Sequence, residues 1–210
     1  MIVLNDITVK FGEKTVLENL SAAFEDGKKY AVMGQSGCGK TTILNVISGL
    51  IKAKSGNVQN TVGNKISYVF QEPRLYDWMN VTENVSIVSP LPKKKADERA
   101  KEILASLGLE DSLDLFPAEL SGGMKQRVSI ARAIAYEPDI LLLDEPFKAL
   151  DEEMKKSVAE YLFSLMVGKT VIMVTHDLSD TYYTDYTVNV TNTPISSLDM
   201  VKSNSNLLNK

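Results

Sequence analysis

The order of patterns along this chain predicts an α/β protein: a mostly parallel sheet, an antiparallel β section at the N-terminus, and a block of helices inserted before the sheet resumes. Three observations predict it. A strand-like run, KYAVMG, feeds a glycine-rich loop that opens directly into a helix-patterned segment. From about residue 72 to 135 the periodicity is helical. Beyond that, ILLLD and KTVIMVTH are short continuous apolar runs, the pattern of strands buried on both faces.

Each element follows in order. IVLNDITV, TVLENLSAAF and KYAVMG are separated by the turn residues of FGEK and EDGK, and together they read as strands of a largely antiparallel sheet. KTTILNVISGL places Ile43, Leu44 and Ile47 at helical spacing and stops near Gly49. NKISYVFQ is a further strand. In KKKADERAKEILASLG, Ala96, Ala100, Ile103, Leu104 and Leu107 share one helix face, and another helix follows the SGG at residues 121–123. After ILLLD, Asp151 caps a helix that turns Met154, Val158, Tyr161, Leu162 and Leu165 inward. The expected division is an α/β core over residues 1–71 and 136–192, a helical subdomain over 72–135, and a weakly patterned polar tail over 193–210, expected to be partly frayed.

At 210 residues, with 44% hydrophobic and 24% charged residues, the chain has ordinary globular composition. Its net charge of −4 gives no general electrostatic reason to bind nucleic acid, and the run Lys93-Lys94-Lys95 reads as a solvated helix start. A single cysteine excludes an internal disulfide, and the first residues lack the pattern of a signal peptide, so a cytosolic setting is expected. No apolar window approaches the roughly 20 residues that span a bilayer. If a membrane matters, another protein supplies it.

The chemistry starts at GQSGCGKTT. Gly34, Gly39, Lys40 and Thr41 fit the spacing G-x-x-x-x-G-K-[ST], with Gln35, Ser36, Gly37, Cys38 and Thr42 completing the loop. Such a loop wraps phosphates with backbone N–H groups, sends its Lys to the β- and γ-phosphates, and offers a hydroxyl to Mg²⁺. This is the phosphate loop of a P-loop NTPase core, a motif that by itself does not separate kinases, GTPases and transport ATPases. ILLLDEP adds Asp144, suited to a Mg²⁺ shell, and Glu145, placed to orient or deprotonate an attacking water; the plainer reading is two acids ending a strand. His176 ends the strand VIMVT at the same sheet edge and is assigned to the γ-phosphate. Gln71 ends ISYVF in the same manner, and its amide could reach the metal or the water. A second anion site, Ser121, Gly122 and Gly123 of LSGGMKQR, opens another helix.

Taken together, GQSGCGKTT, VFQEP, LSGGMKQR, ILLLDEP, KALD and VTHD stand in the order of one family, and the chain resembles the nucleotide-binding subunit of an ABC transporter over nearly its whole length. The resemblance implies an ATPase using ATP and Mg²⁺, and a head-to-tail dimer of two copies in which LSGG holds the γ-phosphate of ATP bound to the other copy's phosphate loop. It implies adenine stacking by Phe11 and an interface role for Asp151. Lys148 departs from the small residue usual in the family, and Asp180 replaces a usual Glu, a change expected to matter little. It further implies membrane-spanning permease subunits docked near Leu75, Tyr76, Trp78 and Met79, a place on the cytoplasmic membrane face, and a solute-binding protein in the complex. QEPRLYDWMNVTENV is similar to importers of the nitrate, sulfonate and taurine group, which also includes thiamine-precursor systems. The alternatives are the ATPase of an exporter or of a lipoprotein-release or cell-division complex, and, at a greater distance, a soluble non-transport ABC ATPase.

Overall fold

The computed structural model describes residues 1–203. Backbone contacts divide the chain into two compact units: the first holds residues 1–66, 139–145 and 168 onward, and the second holds residues 67–138 and 146–167. The helix capped by Asp151 thus groups with the helical segment rather than with the sheet.

The first unit has two sheets. β1 (Ile2–Phe11) pairs antiparallel with β2 (Lys14–Phe24), reaching it through a tight turn at Gly12 and Glu13. β3 (Lys29–Met33) leads through the glycine loop to α1 (Lys40–Ile47), and β4 (Ser55–Gln59) returns to the other edge of β1, giving the order β2-β1-β4. In β1 the inward set slips from Ile2 and Leu4 to Ile7 and Val9. A bulge at Asp6 absorbs the extra residue: its φ is +50°, and its backbone N–H donates to Ser21 Oγ at 3.0 Å.

β3 departs from the antiparallel expectation. It pairs parallel with β7 (Thr170–Val174) on one side and with β8 (Tyr186–Asn189) on the other. The reason lies in its own residues. Tyr30, Ala31 and Val32 are all buried, so this is a central strand covered on both faces and not one member of a half-solvated hairpin. β6 (Ile140–Asp144) and β7 are buried at every position and run parallel, as ILLLD and TVIMV require. β9 (Asp199–Lys202) closes the series antiparallel to β8.

The tail is therefore more built than its composition suggested. Ile195 is fully buried and exchanges backbone hydrogen bonds with Val16 and Glu18 of β2, and β9 follows. Within residues 193–203 one buried isoleucine and a strand pairing tie the chain down despite a polar average. Residues 204–210 lie outside the described residues. At the entry to β6, Asp139 accepts from Lys65 N–H at 3.1 Å and from Lys169 Nζ at 3.0 Å. The Lys65 backbone donor first, then the Lys169 ammonium, hold its carboxyl below the usual carboxylate range.

β5 (Ile66–Val69) carries the chain into the second unit, which contains α2 (Val81–Ser86), α3 (Lys93–Ser106), α4 (Gly122–Ala135) and α5 (Glu152–Leu165). α3 buries Ala96, Ala100, Ile103 and Leu104, the face read from the sequence. α5 buries Val158 and Leu162 as expected, together with Lys155, Ala159 and Phe163, while Met154, Tyr161 and Leu165 are half-buried. α2 begins with a reciprocal capping box: Glu83 N–H donates to Asn80 Oδ1 at 2.8 Å, and Asn80 N–H donates to Glu83 Oε2 at 3.0 Å. Among the described residues no helix is long and apolar enough to cross a membrane.

Candidate functional site

Parallel pairing brings the C-terminal ends of three strands level. Asp144 of β6 and Val32 of β3 both register with Val174 of β7. Whatever follows each strand therefore emerges at one edge, which is where α/β sheets bind ligands. After β3 comes the phosphate loop, after β6 comes Glu145, and after β7 come Thr175 and His176.

The loop is shaped to receive an anion. α1 starts without a side-chain cap and without an acid in its first turn, which leaves its N-terminal field open. Gly39 sits at the N-cap with φ +113°, and a Cβ there would lie 2.6 Å from Val16 Cγ1. Both the backbone and the space demand glycine. Lys40 is only 5% exposed, and its ammonium folds back over the loop to donate to the carbonyls of Gly34 and Gln35, each at 2.8 Å. Gln35, Ser36, Gly37 and Thr41 are exposed, whereas Cys38 and Thr42 are buried, so those two carry the loop's packing. Gly39→Ala is expected to lower ATP affinity at least about tenfold and to destabilise the chain by roughly 1–3 kcal/mol. Nucleotide titration and thermal unfolding check the two effects separately.

Asp144 is 3% exposed at the end of β6. Glu145 follows in a left-handed conformation, φ +46°, with its N–H donating to Val174 O at 2.9 Å. That conformation is costly for a residue with a side chain and recurs at functional positions. The Glu145 side chain is mostly buried and meets exposed His176, Oε1 to Nδ1 3.4 Å. Phe11 ends β1 with half its surface exposed, so its ring is available to a flat ligand.

The remaining expected residues belong to the second unit. Gln71, two residues past β5, is exposed; beside it Tyr68 and Phe70 stack at 4.1 Å and the Arg74 guanidinium lies 3.8 Å over the Phe70 ring. Ser121 is an exposed N-cap, accepting from Met124 N–H at 3.3 Å. Gly122 faces open space, but a Cβ on Gly123 would lie 2.9 Å from Ala149 O. The structure thus joins two motifs that the sequence left apart, LSGG and KALD. Asp151 is exposed and caps α5 through Met154 N–H at 2.9 Å, and Lys148 is exposed nearby in the chain.

Sequence reasoning missed three contributors. Arg127 of the signature donates to the carbonyls of Leu107 and Gly108 at 2.7 and 2.8 Å, closing the C-terminal end of α3 with a cation. Burial lowers its pKa from the usual guanidinium value. Asn84 is fully buried and binds the backbone of Tyr76 and Met79, which shapes the loop containing Trp78. Asp180, noted in the sequence only for standing where a Glu is usual, is 3% exposed and accepts a hydrogen bond from Thr175 Oγ1 beside His176. A periodicity reading has no signal for any of these, since each depends on a partner distant in sequence or on a loop closing upon itself.

A strand, a glycine loop and a helix, with an acid pair closing a second parallel strand one place removed in the same sheet, define a P-loop nucleoside triphosphatase. The chain belongs to the ABC transporter family, whose model matches residues 17–148, and it is the ATP-binding, ATP-hydrolysing subunit. It is 43% identical to the bicarbonate transport ATP-binding protein CmpD of Synechocystis sp., over 87% of this chain and 70% of that protein. It is 39% identical to the aliphatic sulfonates import ATP-binding protein SsuB of Bacillus subtilis, over 83% of this chain and 72% of that protein. With the taurine import ATP-binding protein TauB of Escherichia coli O157:H7 the identity is 37%, over 87% and 76%. Among solved structures, the dimeric post-hydrolysis state of the ATP-binding cassette MJ0796 bound to ADP and Pi superposes with a TM-score of 0.87 at 30% identity, covering 97% of this chain and 99% of that one.

Proposed function

We propose that this chain powers solute import: two copies close head-to-tail around two ATP molecules, and the cycle of closing and release drives separate permease subunits. The observation that carries the chemistry is the shared strand edge, where Lys40, Asp144, Glu145 and His176 are assembled in one unit. Backbone N–H groups of residues 34–42 bind the phosphates, and Lys40 exchanges its two loop carbonyls for phosphate oxygens. Glu145 orients the attacking water and accepts its proton, and His176 holds the γ-phosphate against it. Phe11 stacks on adenine. Gln71 senses the metal and water, and Ser121, Gly122 and Gly123 of the second copy close over the γ-phosphate, with Asp151 crossing the interface.

The donor set fits Mg²⁺. A buried carboxylate on Asp144 and an exposed hydroxyl on Thr41 are hard oxygen ligands, and among the described residues no cluster of three or more acids, His or Cys forms a closed metal cage. Mg²⁺ is commonly held this way, by one carboxylate or two together with substrate phosphates. When bound, it neutralises charge developing on the β- and γ-phosphates.

A groove of about 480 Å³ in the second unit, lined by Trp78, Met79, Ile87, Leu91, Glu83 and Lys93, supports the docking of a permease helix. The rings of Tyr76 and Trp78 lie 5.3 Å apart, tilted by 45°, and Trp78 is 73% exposed although it borders a helical core. Exposed aromatic and aliphatic side chains around one groove are interface chemistry. Leu75 is half-buried and supports the loop. The relatives named for bicarbonate, sulfonate and taurine transport support a small oxyanion or sulfonate cargo, with thiamine-precursor systems as the other member of the group, a solute-binding protein in the complex, and a place on the cytoplasmic membrane face.

Purification from gently solubilised membranes with identification of companions tests this reading. A multi-span protein together with a solute-binding protein is expected; a multi-span protein alone would replace import by export, and neither would overturn transport. In the same preparation Trp78→Asp is expected to reduce permease recovery at least about tenfold while ATP affinity is unchanged, because an exposed aromatic side chain that the proposed complex would bury is replaced by a charge.

A further inference from the structure

The geometry points to Thr175 and Asp180 as positioning residues: a buried latch that holds His176 in line with Glu145 and the phosphate loop. The inference rests on the reading of His176 as the γ-phosphate contact.

His176 itself has little to hold it. Its side chain is 61% exposed, and its Nδ1 stands 3.4 Å from Glu145 Oε1. The residues on either side are tied down. Thr175 is 2% exposed, and its N–H donates to Val32 O at 3.2 Å, which anchors it to the strand that delivers the phosphate loop. Its hydroxyl works in both directions. It accepts from Asp177 N–H at 3.0 Å, bridging across His176, and it donates to the carboxylate of Asp180, which is 3% exposed. Asp177 in turn caps the 3-10 helix Leu178–Tyr183, accepting from Ser179 N–H at 2.8 Å on its side chain and from Asp180 N–H at 3.3 Å on its carbonyl.

Residues 175–180 therefore form a closed ring of hydrogen bonds that turns His176 outward beside the catalytic edge. A buried carboxylate with a hydroxyl donor is a demanding arrangement, because either group left alone loses its hydration without compensation. Such a pair has few alternative geometries. Fixing the backbone on both sides of an exposed imidazole confines it without covering it, which is what a residue that must reach a phosphate requires.

A double-mutant comparison of ATP hydrolysis by the full chain separates positioning from general stability. Thr175→Val removes both hydrogen bonds at nearly constant volume and is expected to lower kcat about tenfold with KM for ATP within about twofold, while Thr175→Ser, which keeps the hydroxyl, recovers the rate. His176→Ala is expected to lower kcat more, and adding Thr175→Val to it should change nothing further, since there is no imidazole left to position. If Thr175→Val lowers the residual rate of His176→Ala by the same tenfold, or leaves kcat of the parent chain unchanged, the latch is overturned. Full activity in His176→Ala would instead remove the reading of His176 on which the latch rests. Should Thr175→Val fail to bind ATP, Asp180→Ala makes the same comparison from the acceptor side, with Asp180→Asn, which retains an accepting oxygen, as its conservative control.

Discussion

Glu145→Gln should bind MgATP as the parent chain does and hydrolyse it on the order of 10²- to 10⁴-fold more slowly, the range a positioned general base contributes. The substitution is nearly isosteric, so the left-handed backbone at residue 145 and its hydrogen bond to Val174 O persist. What is lost is the negative charge that draws a proton from water. Because Lys40, Thr41 and Asp144 are untouched, ATP should still bind, and because hydrolysis separates the copies in the proposed cycle, the dimer should accumulate. Single-turnover hydrolysis and sedimentation in the presence of MgATP read the two consequences. Rapid turnover by this variant would remove Glu145 from its role and leave the acid pair as a strand ending.

Ser121→Arg should abolish ATP-dependent dimerisation while leaving nucleotide affinity of the single chain unchanged. Ser121 is an exposed N-cap, so the change costs roughly 1 kcal/mol of helix capping within the second unit, too little to unfold the chain. The added side chain projects from a surface that in the proposed dimer closes on the other copy's phosphate. Steric exclusion there should weaken association by more than about 100-fold, or ~3 kcal/mol. Ser121→Ala, which removes the hydroxyl without adding bulk, is the control: it should retain a dimer population that Ser121→Arg loses. An unchanged dimer in both would leave LSGG as a helix cap and nothing more.

Much of the site was readable because its chemistry is written in consecutive residues. A phosphate loop needs glycines, a lysine and a hydroxyl at set spacing, and those demands are met within one turn and one helix start. Asp144, Glu145 and His176 were legible for a second reason: ILLLD and VIMVT are apolar on both faces, so they must be interior parallel strands, and interior parallel strands present their ends at one edge. α3 was legible from periodicity alone.

Other parts carried no local signal. β4, SGNVQ, has a single half-buried apolar side chain and forms only because β1 offers it an edge. β3 was misassigned to an antiparallel sheet because alternation near the N-terminus suggested a meander, and only its burial on both faces shows the parallel partners. The partner of Asp180 had no local signal either, because its hydrogen bond to a hydroxyl five residues earlier exists only once the chain turns back after β7.

By itself the sequence determined the family and named the candidate residues: a phosphate loop, the acids that end one strand, and the order of motifs they follow. These are properties of short segments, set by residue type and spacing. The tertiary structure decided what holds those segments in register. The level strand ends come from parallel pairing, the need for glycine at residue 123 comes from Ala149 O, and Arg127 closes α3 from twenty residues away in the chain. Each depends on a contact between residues that no local pattern links, and contacts of that kind are settled only when the whole chain has packed.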